Sequence, residues 1–225
     1  MKSKNNFIQI SCDGGAATGK TTGAKMISKK FKLNFLSSGL LYRYATYLII
    51  KNNPRNKISF LKKKFEKLNY KKLKSINLHH PKISEYSAVI AKNKNVRLIL
   101  KKFQKDFAKR NKNCCIEGRD ISTKILPDSD LKFFFKCNLN TAAIRRFKEL
   151  KKINKKIKLI DVKKALRIRN YSDTRRKNSP LLRHRDSIEI DTGKLDKQAV
   201  LAKMSRNVEK VLKNKYGNWT RIKKN

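Results

Sequence analysis

Short apolar runs alternate along the chain with longer segments whose apolar residues recur at helical spacing. The short runs, which predict buried strands, cover residues 7–12, 34–37, 114–116, 131–137 and 187–190. The longer segments, which predict amphipathic helices, cover residues 20–32, 40–50, 96–110, 141–152, 162–170 and 195–215. Because strands and helices alternate, the pattern predicts an α/β fold: a parallel five-stranded sheet with helices on both faces.

Two stretches do not follow this pattern. Residues 52–95 are rich in lysine and asparagine and only weakly periodic, so no element is assigned to them. Residues 172–186 are polar and dense in arginine, which predicts a loop. The chain has no internal repeats, and its 225 residues suit one domain.

The charge balance is extreme, with 59 Lys and Arg against 16 Asp and Glu, a net charge of +43. Such a field attracts polyanions, including nucleic acids and anionic membranes. However, Lys, Asn and Ile are all favoured by A+T-rich codons, and no nucleic-acid-binding motif is present. We therefore attribute the excess to composition and solubility, and we expect that nucleic acid is not required for function.

The cysteines indicate a reducing environment. Cys12, Cys114, Cys115 and Cys137 all fall inside apolar runs that predict strands and lack metal-binding spacing, which predicts buried free thiols. No apolar run approaches the ~18 residues of a membrane span, and no apolar segment follows the N-terminal lysines. We expect a cytoplasmic protein that needs no membrane.

One motif predicts phosphate binding. Gly14-x-x-x-x-Gly19-Lys20-Thr21 fits the Walker A pattern, with a predicted strand before it and a predicted helix after it. Its glycines let backbone amides close around a phosphate, Lys20 adds a charge, and the Thr21 hydroxyl can bind Mg²⁺. The sequence therefore predicts a P-loop NTPase-type fold that binds ATP and Mg²⁺. The residues expected to cradle ATP are Gly14, Gly15, Ala16, Ala17, Thr18, Gly19, Lys20, Thr21 and Thr22.

A P-loop does not by itself name the phosphoryl acceptor. No Asn-Lys-x-Asp motif is present, which argues against a GTPase. Three further motifs could bind a second substrate. Residues 37–43 (SSGLLYR) and 117–120 (EGRD) follow predicted strands, where α/β sheets place ligands, and Arg169-x-x-x-Asp173-x-x-Arg176 lies in the arginine-dense region.

Together with the P-loop, these motifs resemble the bacterial cytidylate kinase family, from the nucleoside monophosphate kinase group. The resemblance extends over residues 8–191, with the motifs in the same order. It implies transfer of the γ-phosphoryl group of ATP to CMP or dCMP, giving CDP or dCDP. It also implies a lid at about 167–186 and a monophosphate-binding region at about 52–95 within one domain. We expect a monomer.

The resemblance implies substrate contacts for the residues that match the family's motifs. They are Ser38, Tyr42, Arg43, Arg97, Arg119, Asp120, Arg169, Asp173 and Arg176. The first three match a segment that contacts the monophosphate, and Arg97 and Asp120 match residues that contact the base. Arg119 matches a phosphate-contacting arginine, and the last three match a lid that contacts phosphate, ribose and base. Lys20 and the two lid arginines are the expected catalytic residues.

The chemistry of these side chains favours cytosine over uracil. Cytosine presents an amino donor at C4 and acceptors at N3 and O2. Asp120 can accept from the amino group, while Arg97 or Arg176 can donate to the acceptors. Uracil reverses the donor and acceptor at C4 and N3, and a site built on hydrogen bonds rejects such an analogue by about 10⁴-fold.

The sequence departs from the family pattern at several points. Gly15 stands where the family has proline, Ser122 where it has glycine, and Ala88 where it has a base-contacting serine. The stretch between Arg43 and Arg97 is shorter than in the family, so the monophosphate-binding insertion is expected to be shortened. These departures affect the base pocket and leave the phosphate chemistry unchanged.

Two alternatives remain at this stage. The chain could be another P-loop kinase that acts on a different nucleotide or small molecule. It could also be a basic nucleic-acid-binding protein with a vestigial P-loop, in which case its binding would fall steeply with salt.

Overall fold

A computed structural model describes residues 7–153 and 155–217. Its strands form one parallel five-stranded sheet in the order β2-β3-β1-β4-β5. The strands are Gln9–Gly14 (β1), Asn34–Ser37 (β2), Cys114–Gly118 (β3), Leu131–Lys136 (β4) and Ile188–Asp191 (β5). The predicted α/β fold with a parallel five-stranded sheet is confirmed.

Eight α-helices and two short helical turns connect and follow these strands within the described residues. The helices are Lys20–Lys30 (α1), Ser38–Asn52 (α2), Lys57–Glu66 (α3), Pro81–Ile90 (α4), Lys94–Arg110 (α5), Leu139–Lys151 (α6), Leu159–Arg175 (α7) and Lys197–Tyr216 (α8). A 3₁₀ turn covers Tyr70–Ser75 and a π-turn covers Ile121–Ile125. No helix in the described part of the chain is both long enough and apolar enough to cross a membrane.

The contacts divide the described chain into two compact units. The first unit, which we call the sheet unit, holds the residues up to Leu36 and those from Asn111 onward. Its main core packs α1 and α8 against β1 and β4, with Phe133 and Phe135 of β4 fully buried. The inner strands β1 and β3 are almost entirely buried, as strands in the middle of a parallel sheet are.

The second unit, Ser37–Arg110, is helical, and we call it the helical unit. It contains the stretch that the sequence left unassigned, which forms α3, the 3₁₀ turn and α4. Phe65 of α3 and Phe103 of α5 pack edge to face with ring centres 5.9 Å apart. Leu61, Leu73 and Leu100 are fully buried here, so this unit has an apolar core of its own.

Two sequence expectations are corrected. The loop predicted for residues 172–186 was wrong in its first turn, because α7 continues to Arg175. No glycine or proline interrupts Leu159–Arg175, and Pro180 is the first residue beyond it that cannot continue a helix. The second correction concerns Cys137, which is only half-buried, whereas Cys12, Cys114 and Cys115 are free and buried as expected.

Candidate active site

The P-loop connects the end of β1 to the start of α1. A Cβ added at Gly14 would lie 2.4 Å from the carbonyl oxygen of Phe135, so only glycine fits there. Gly19 precedes α1 with a φ of 78°, in the left-handed region that glycine adopts without strain. The loop therefore turns directly into a helix N-terminus, where amide groups and the helix dipole favour an anion.

Lys20 is a buried cation at the first residue of α1. Its Nζ donates a hydrogen bond to the carbonyl oxygen of Gly15 (3.2 Å) and lies 3.8 Å from a carboxylate oxygen of Glu117. Burial, together with the charges of Arg119 and Arg169, lowers the pKa of Lys20 to about 7, although the charge of Glu117 opposes the shift. A phosphate beside Nζ would favour the charged amine, so the site is suited to an anion.

A hydrogen-bonded brace supports the P-loop from the segment after β5. The Thr192 hydroxyl donates to the carbonyl oxygen of Thr18 at 2.9 Å. Arg145 of α6 donates from Nη1 to the Thr192 hydroxyl (2.8 Å) and from Nη2 to the Thr192 carbonyl (2.7 Å). The backbone of the phosphate loop is thereby tied to two other elements of the sheet unit.

Helix α7 also contacts the P-loop directly. The side-chain oxygen of Asn170 accepts a hydrogen bond from the backbone amide of Ala16 at 3.1 Å. A Cβ added at Gly15 would lie 3.3 Å from the same oxygen, which is a tight approach. Glycine at position 15 therefore leaves room for the side chain of Asn170, and the helix that carries the predicted lid residues is joined to the phosphate loop.

Asp173 of α7 bridges two of the predicted substrate-binding arginines. One carboxylate oxygen accepts from Nε of Arg119 at 2.9 Å, and the other accepts from Nη1 of Arg176 at 3.1 Å. Burial raises the pKa of this carboxyl, but the neighbouring charges of Arg119, Arg169 and Arg176 prevail and hold it below its ordinary value. Arg176 also donates from Nε to the carbonyl oxygen of Ser179 at 2.6 Å.

Asp13, just before the P-loop, holds the turn that follows β3. One carboxylate oxygen accepts from the amide of Ile121 (2.8 Å), and the other accepts from the amide (2.7 Å) and hydroxyl (2.6 Å) of Ser122. Burial raises the pKa of Asp13 to about 6, although these hydrogen bonds oppose the shift, and the charge of Asp120 adds to it. The carboxylate thus fixes the backbone beside Asp120.

In the helical unit, Arg97 of α5 is buried near Tyr42 of α2. Its guanidinium lies 5.7 Å from the centre of the Tyr42 ring and donates to the carbonyl oxygen of Ala91 at 3.1 Å. Arg43 lies 3.1 Å, Nη1 to Nδ1, from His79. A cation over an aromatic face is stabilised by the ring quadrupole, so Tyr42 supports the buried position of Arg97.

The predicted site residues fall into two groups. The sheet unit brings together the P-loop and the residues of two other motifs. From the motif at 117–120 these are Glu117, Arg119 and Asp120, and from the motif in α7 and just after it they are Arg169, Asp173 and Arg176. The helical unit holds Ser38, Tyr42, Arg43 and Arg97. Ser38 is buried at the start of α2, where the side chain of Ser37 accepts from the amide of Leu40 and caps the helix.

Comparison with known proteins matches the chain to one family. The family model described as cytidylate kinase matches residues 10–210. The chain belongs to the cytidylate kinase family. A cytidylate kinase of Clostridium tetani is 32% identical over 225 residues, covering 95% of this chain and 99% of that protein. One of Mesomycoplasma hyopneumoniae (strain 7448) is also 32% identical, over 89% of this chain and 93% of its own.

Solved structures show the same fold at low sequence identity. A shikimate kinase of Bacteroides thetaiotaomicron aligns with a TM-score of 0.52 at 11% identity, covering 91% of this chain and 98% of that one. An uncharacterized protein of Eubacterium ventriosum aligns with a TM-score of 0.54 at 14% identity, over 90% and 98%. At these identities the likeness establishes the architecture of this cytidylate kinase family member.

Several residues that support the site were not found from the sequence. They are Asp13, Arg145, Asn170 and Thr192. Asp13 had a signal, because an acidic residue at the end of a buried strand must find hydrogen-bond donors. Asn170 lies between two motif residues of the family. Arg145 and Thr192 carry no local signal, since their hydrogen bonds join residues far apart in sequence.

The described residues could hold Mg²⁺ only together with the phosphate oxygens of a bound nucleotide. Among residues 7–153 and 155–217, no group of three or more histidine, cysteine or acidic side chains could hold a metal ion. The P-loop of this cytidylate kinase family member offers the Thr21 hydroxyl, a hard oxygen donor. Mg²⁺ commonly takes few protein ligands and completes its shell with phosphate and water oxygens.

Proposed function

We propose that this protein transfers the γ-phosphoryl group of ATP to CMP or dCMP, giving ADP and CDP or dCDP. Membership of the cytidylate kinase family over residues 10–210 carries the proposal. The buried Lys20 supports the donor side, as does the P-loop, whose first position, Gly14, admits only glycine. The arginines around Asp173 support the acceptor side, because guanidinium groups bind phosphate oxygens in fixed geometry.

On the donor side, Lys20 and the amides of the P-loop bind the phosphates of ATP. Binding there restores the charge of Lys20, whose pKa is lowered by burial in the absence of an anion. Thr21 would hold Mg²⁺ together with the phosphate oxygens, and the ion would supply further neutralisation of phosphate charge. Thr192 and Arg145 keep the loop backbone in place while the phosphates bind.

On the acceptor side, the residue roles follow the charges and hydrogen-bonding groups. Arg119 and Arg176 bind phosphate, and Asp173 holds both guanidiniums in position before substrate arrives. Asp120 accepts from the amino group of cytosine. In the helical unit, Arg97 contacts the base, and Ser38, Tyr42 and Arg43 contact the monophosphate.

The chemical step requires positioning and charge neutralisation more than covalent participation of the protein. The transferred group passes through a loose transition state whose charge spreads over its oxygens. Holding donor and acceptor in line contributes about 7–11 kcal/mol. Lys20, Arg169 and Arg176 neutralise the oxygens as the lid closes and water is excluded. An arginine in this role is worth about 10³–10⁵ in rate.

The proposal includes the setting of the enzyme. We place it in the cytoplasm as a monomer, with residues 1–225 acting as one kinase domain. Four free cysteines among the described residues support a reducing compartment. Nucleic acid is not required, because ATP and CMP account for the charged site residues.

Acceptor-dependent ADP release tests this function. Wild-type protein is assayed with ATP and Mg²⁺ and with CMP, dCMP, UMP, AMP or no acceptor. We expect CMP and dCMP to stimulate ADP release far above UMP and AMP, because the base site pairs with cytosine. Equal ADP release with and without an acceptor would refute a kinase and indicate an ATPase instead.

Two lysines of α1 provide a matched pair for the donor site. Lys20→Ala is expected to lower kcat by about 10²–10³-fold with every acceptor, the usual cost of removing one group that stabilises transition-state charge. Lys25→Ala removes an exposed lysine from the same helix and should leave kcat unchanged. Equal losses in both variants would show that the helix, and not the Lys20 charge, was disturbed.

A further inference from the structure

The turn after β3 carries Arg119 and Asp120, yet its backbone is held by a residue from a different strand. Asp13 of β1 is fully buried and is 108 positions before Ile121, the residue whose amide it accepts. Its other oxygen accepts the amide and the hydroxyl of Ser122. Three hydrogen bonds between 2.6 and 2.8 Å therefore converge on one carboxylate.

These bonds act on the backbone immediately after Asp120. The amides of Ile121 and Ser122 are the first two of the π-turn Ile121–Ile125 and have no earlier carbonyl in that turn to bind. The Asp120 carbonyl oxygen in turn accepts from the amides of Lys124 (2.9 Å) and Ile125 (3.3 Å). Asp120 is thus fixed by the turn on its carbonyl side and by the Asp13 carboxylate one residue further on.

Ser122 contributes a side-chain hydrogen bond to this arrangement in addition to the bond from its amide. Its hydroxyl is completely buried and makes the shortest of the three bonds to Asp13. A glycine at this position would keep the amide donor and lose the hydroxyl. The added bond restrains Asp13 and the turn together, because a charged acceptor strengthens each hydrogen bond it receives.

We infer that Asp13 and Ser122 are positioning residues for base recognition: they hold Asp120 where its carboxylate meets the cytosine amino group. The inference rests on the proposed function. Discrimination between bases depends on the placement of hydrogen-bonding groups, and a displacement of about 1 Å can cost about 10²-fold in rate. Loss of these bonds should therefore lower CMP-over-UMP selectivity more than it affects ATP.

Three variants separate positioning from general stability. Asp13→Asn keeps the shape of the side chain and removes its charge, and Ser122→Ala removes one buried hydrogen bond. Ser129→Ala is the matched control, since its buried hydroxyl bonds the hydroxyl of Ser11 at 2.9 Å and is not among the three bonds to Asp13. The readouts are kcat/KM for CMP and for UMP, KM for ATP, and far-UV circular dichroism to confirm folding.

We expect Asp13→Asn to lower the CMP/UMP ratio of kcat/KM by about tenfold or more. A loss of this size corresponds to the free energy of one hydrogen bond to a charged group. Ser122→Ala should lower it by about two- to fivefold, less than Asp13→Asn, because the amides of Ile121 and Ser122 still bond the Asp13 carboxylate in this variant. Ser129→Ala should leave the ratio unchanged, and KM for ATP should stay within about twofold in all three, since no P-loop amide is altered.

The outcomes distinguish this inference from the proposed function. A folded Asp13→Asn with the wild-type ratio, or equal ratios in the Ser122→Ala and Ser129→Ala variants, would overturn it while leaving CMP kinase activity established. If Asp13→Asn does not fold, the two serine variants decide the matter alone. Wild-type protein without CMP turnover would refute the proposed function and, with it, this inference.

Discussion

At the scale of single residues, the buried charges of the sheet unit differ in how well they are compensated. Asp13 receives three short hydrogen bonds, whereas Lys20 has one carbonyl at 3.2 Å and a carboxylate oxygen 3.8 Å away. A buried charge that lacks close partners is costly. Lys20 is therefore the group that a bound phosphate would stabilise most. The Asp13 carboxylate, in contrast, already accepts a hydrogen bond on each of its two oxygens.

The buried carboxyl of Asp13 predicts a specific pH dependence of stability. Its pKa is about 6 in the folded protein against an ordinary 3.8, so folding favours the protonated form. Its favourable contribution is complete below pH 3.8 and is lost as pH rises through 6. Shifts of this size correspond to about 3 kcal/mol. The pKa of Asp173 is lowered, so its titration affects stability only below about pH 4. The pKa of Lys20 is lowered to about 7, so its titration affects stability between pH 7 and 10.5.

Urea unfolding at pH 5 and pH 7.5 tests this prediction. Asp13→Asn carries no titrating group at this position, so its unfolding free energy relative to wild type should rise by about 1.4 kcal/mol between the two pH values, because about half of the total of about 3 kcal/mol is already lost below pH 5. The comparison within each pH cancels the titration of all other groups. Parallel pH profiles for wild type and variant would show that the pKa of Asp13 is not raised.

At the scale of elements, α1 must approach the sheet closely to carry Lys20 into the P-loop. A Cβ added at Gly23 would lie 2.7 Å from two ring carbons of Phe135, which is fully buried in β4. Overpacking would cost about 1–3 kcal/mol, whereas helix propensity would contribute a gain of about 1 kcal/mol. Gly23→Ala should therefore destabilise the protein by up to about 2 kcal/mol net. Thermal unfolding measures the difference.

Gly39→Ala is the control for this comparison. Gly39 lies in the first turn of α2, and the nearest atom to an added Cβ is the Ser37 hydroxyl at 3.8 Å, an ordinary contact. Alanine there should leave the melting temperature unchanged or raise it slightly. A loss of stability in Gly39→Ala as large as that in Gly23→Ala would contradict the close approach of α1 to Phe135.

The elements also show which parts of the fold the sequence pattern could predict. The strands and most helices were predicted with ends close to those observed, because their apolar spacing is strict. The stretch 52–95 was unassigned because lysine and asparagine dilute its periodicity, and its helices are stabilised by buried residues such as Leu61 and Phe65. The last turn of α7 was missed because its arginines were interpreted only as a polar loop.

Candidate site residues could be predicted from the sequence where they form contiguous motifs. The P-loop and the EGRD turn are contiguous motifs, so their residues could be named. Asp13, Asn170 and Thr192 act through hydrogen bonds to residues 108 to 174 positions away, and no spacing in the sequence encodes such pairs. Placement of a polar group by a distant strand or helix becomes evident only in the fold.

At the scale of the whole molecule, the net charge of +43 is the feature that most affects stability. Carboxylates are too few to balance the cations, and several are already committed to the site, such as Asp13, Glu117 and Asp173. Exposed ion pairs, such as Lys215 with Asp130 at 2.6 Å, contribute only about 0.2–1 kcal/mol each. Repulsion among the remaining cations therefore opposes the compact state.

This repulsion predicts that salt stabilises the protein. Raising NaCl from about 0.01 M to about 0.15 M shortens the Debye length from about 30 Å to about 8 Å. We expect the unfolding free energy in urea to rise by about 1 kcal/mol or more, because repulsion is screened more than the close ion pairs. Lys20→Ala should show the same rise, whereas a rise confined to wild type would indicate chloride bound at the P-loop. A fall in unfolding free energy with salt would show that ion pairs outweigh the repulsion.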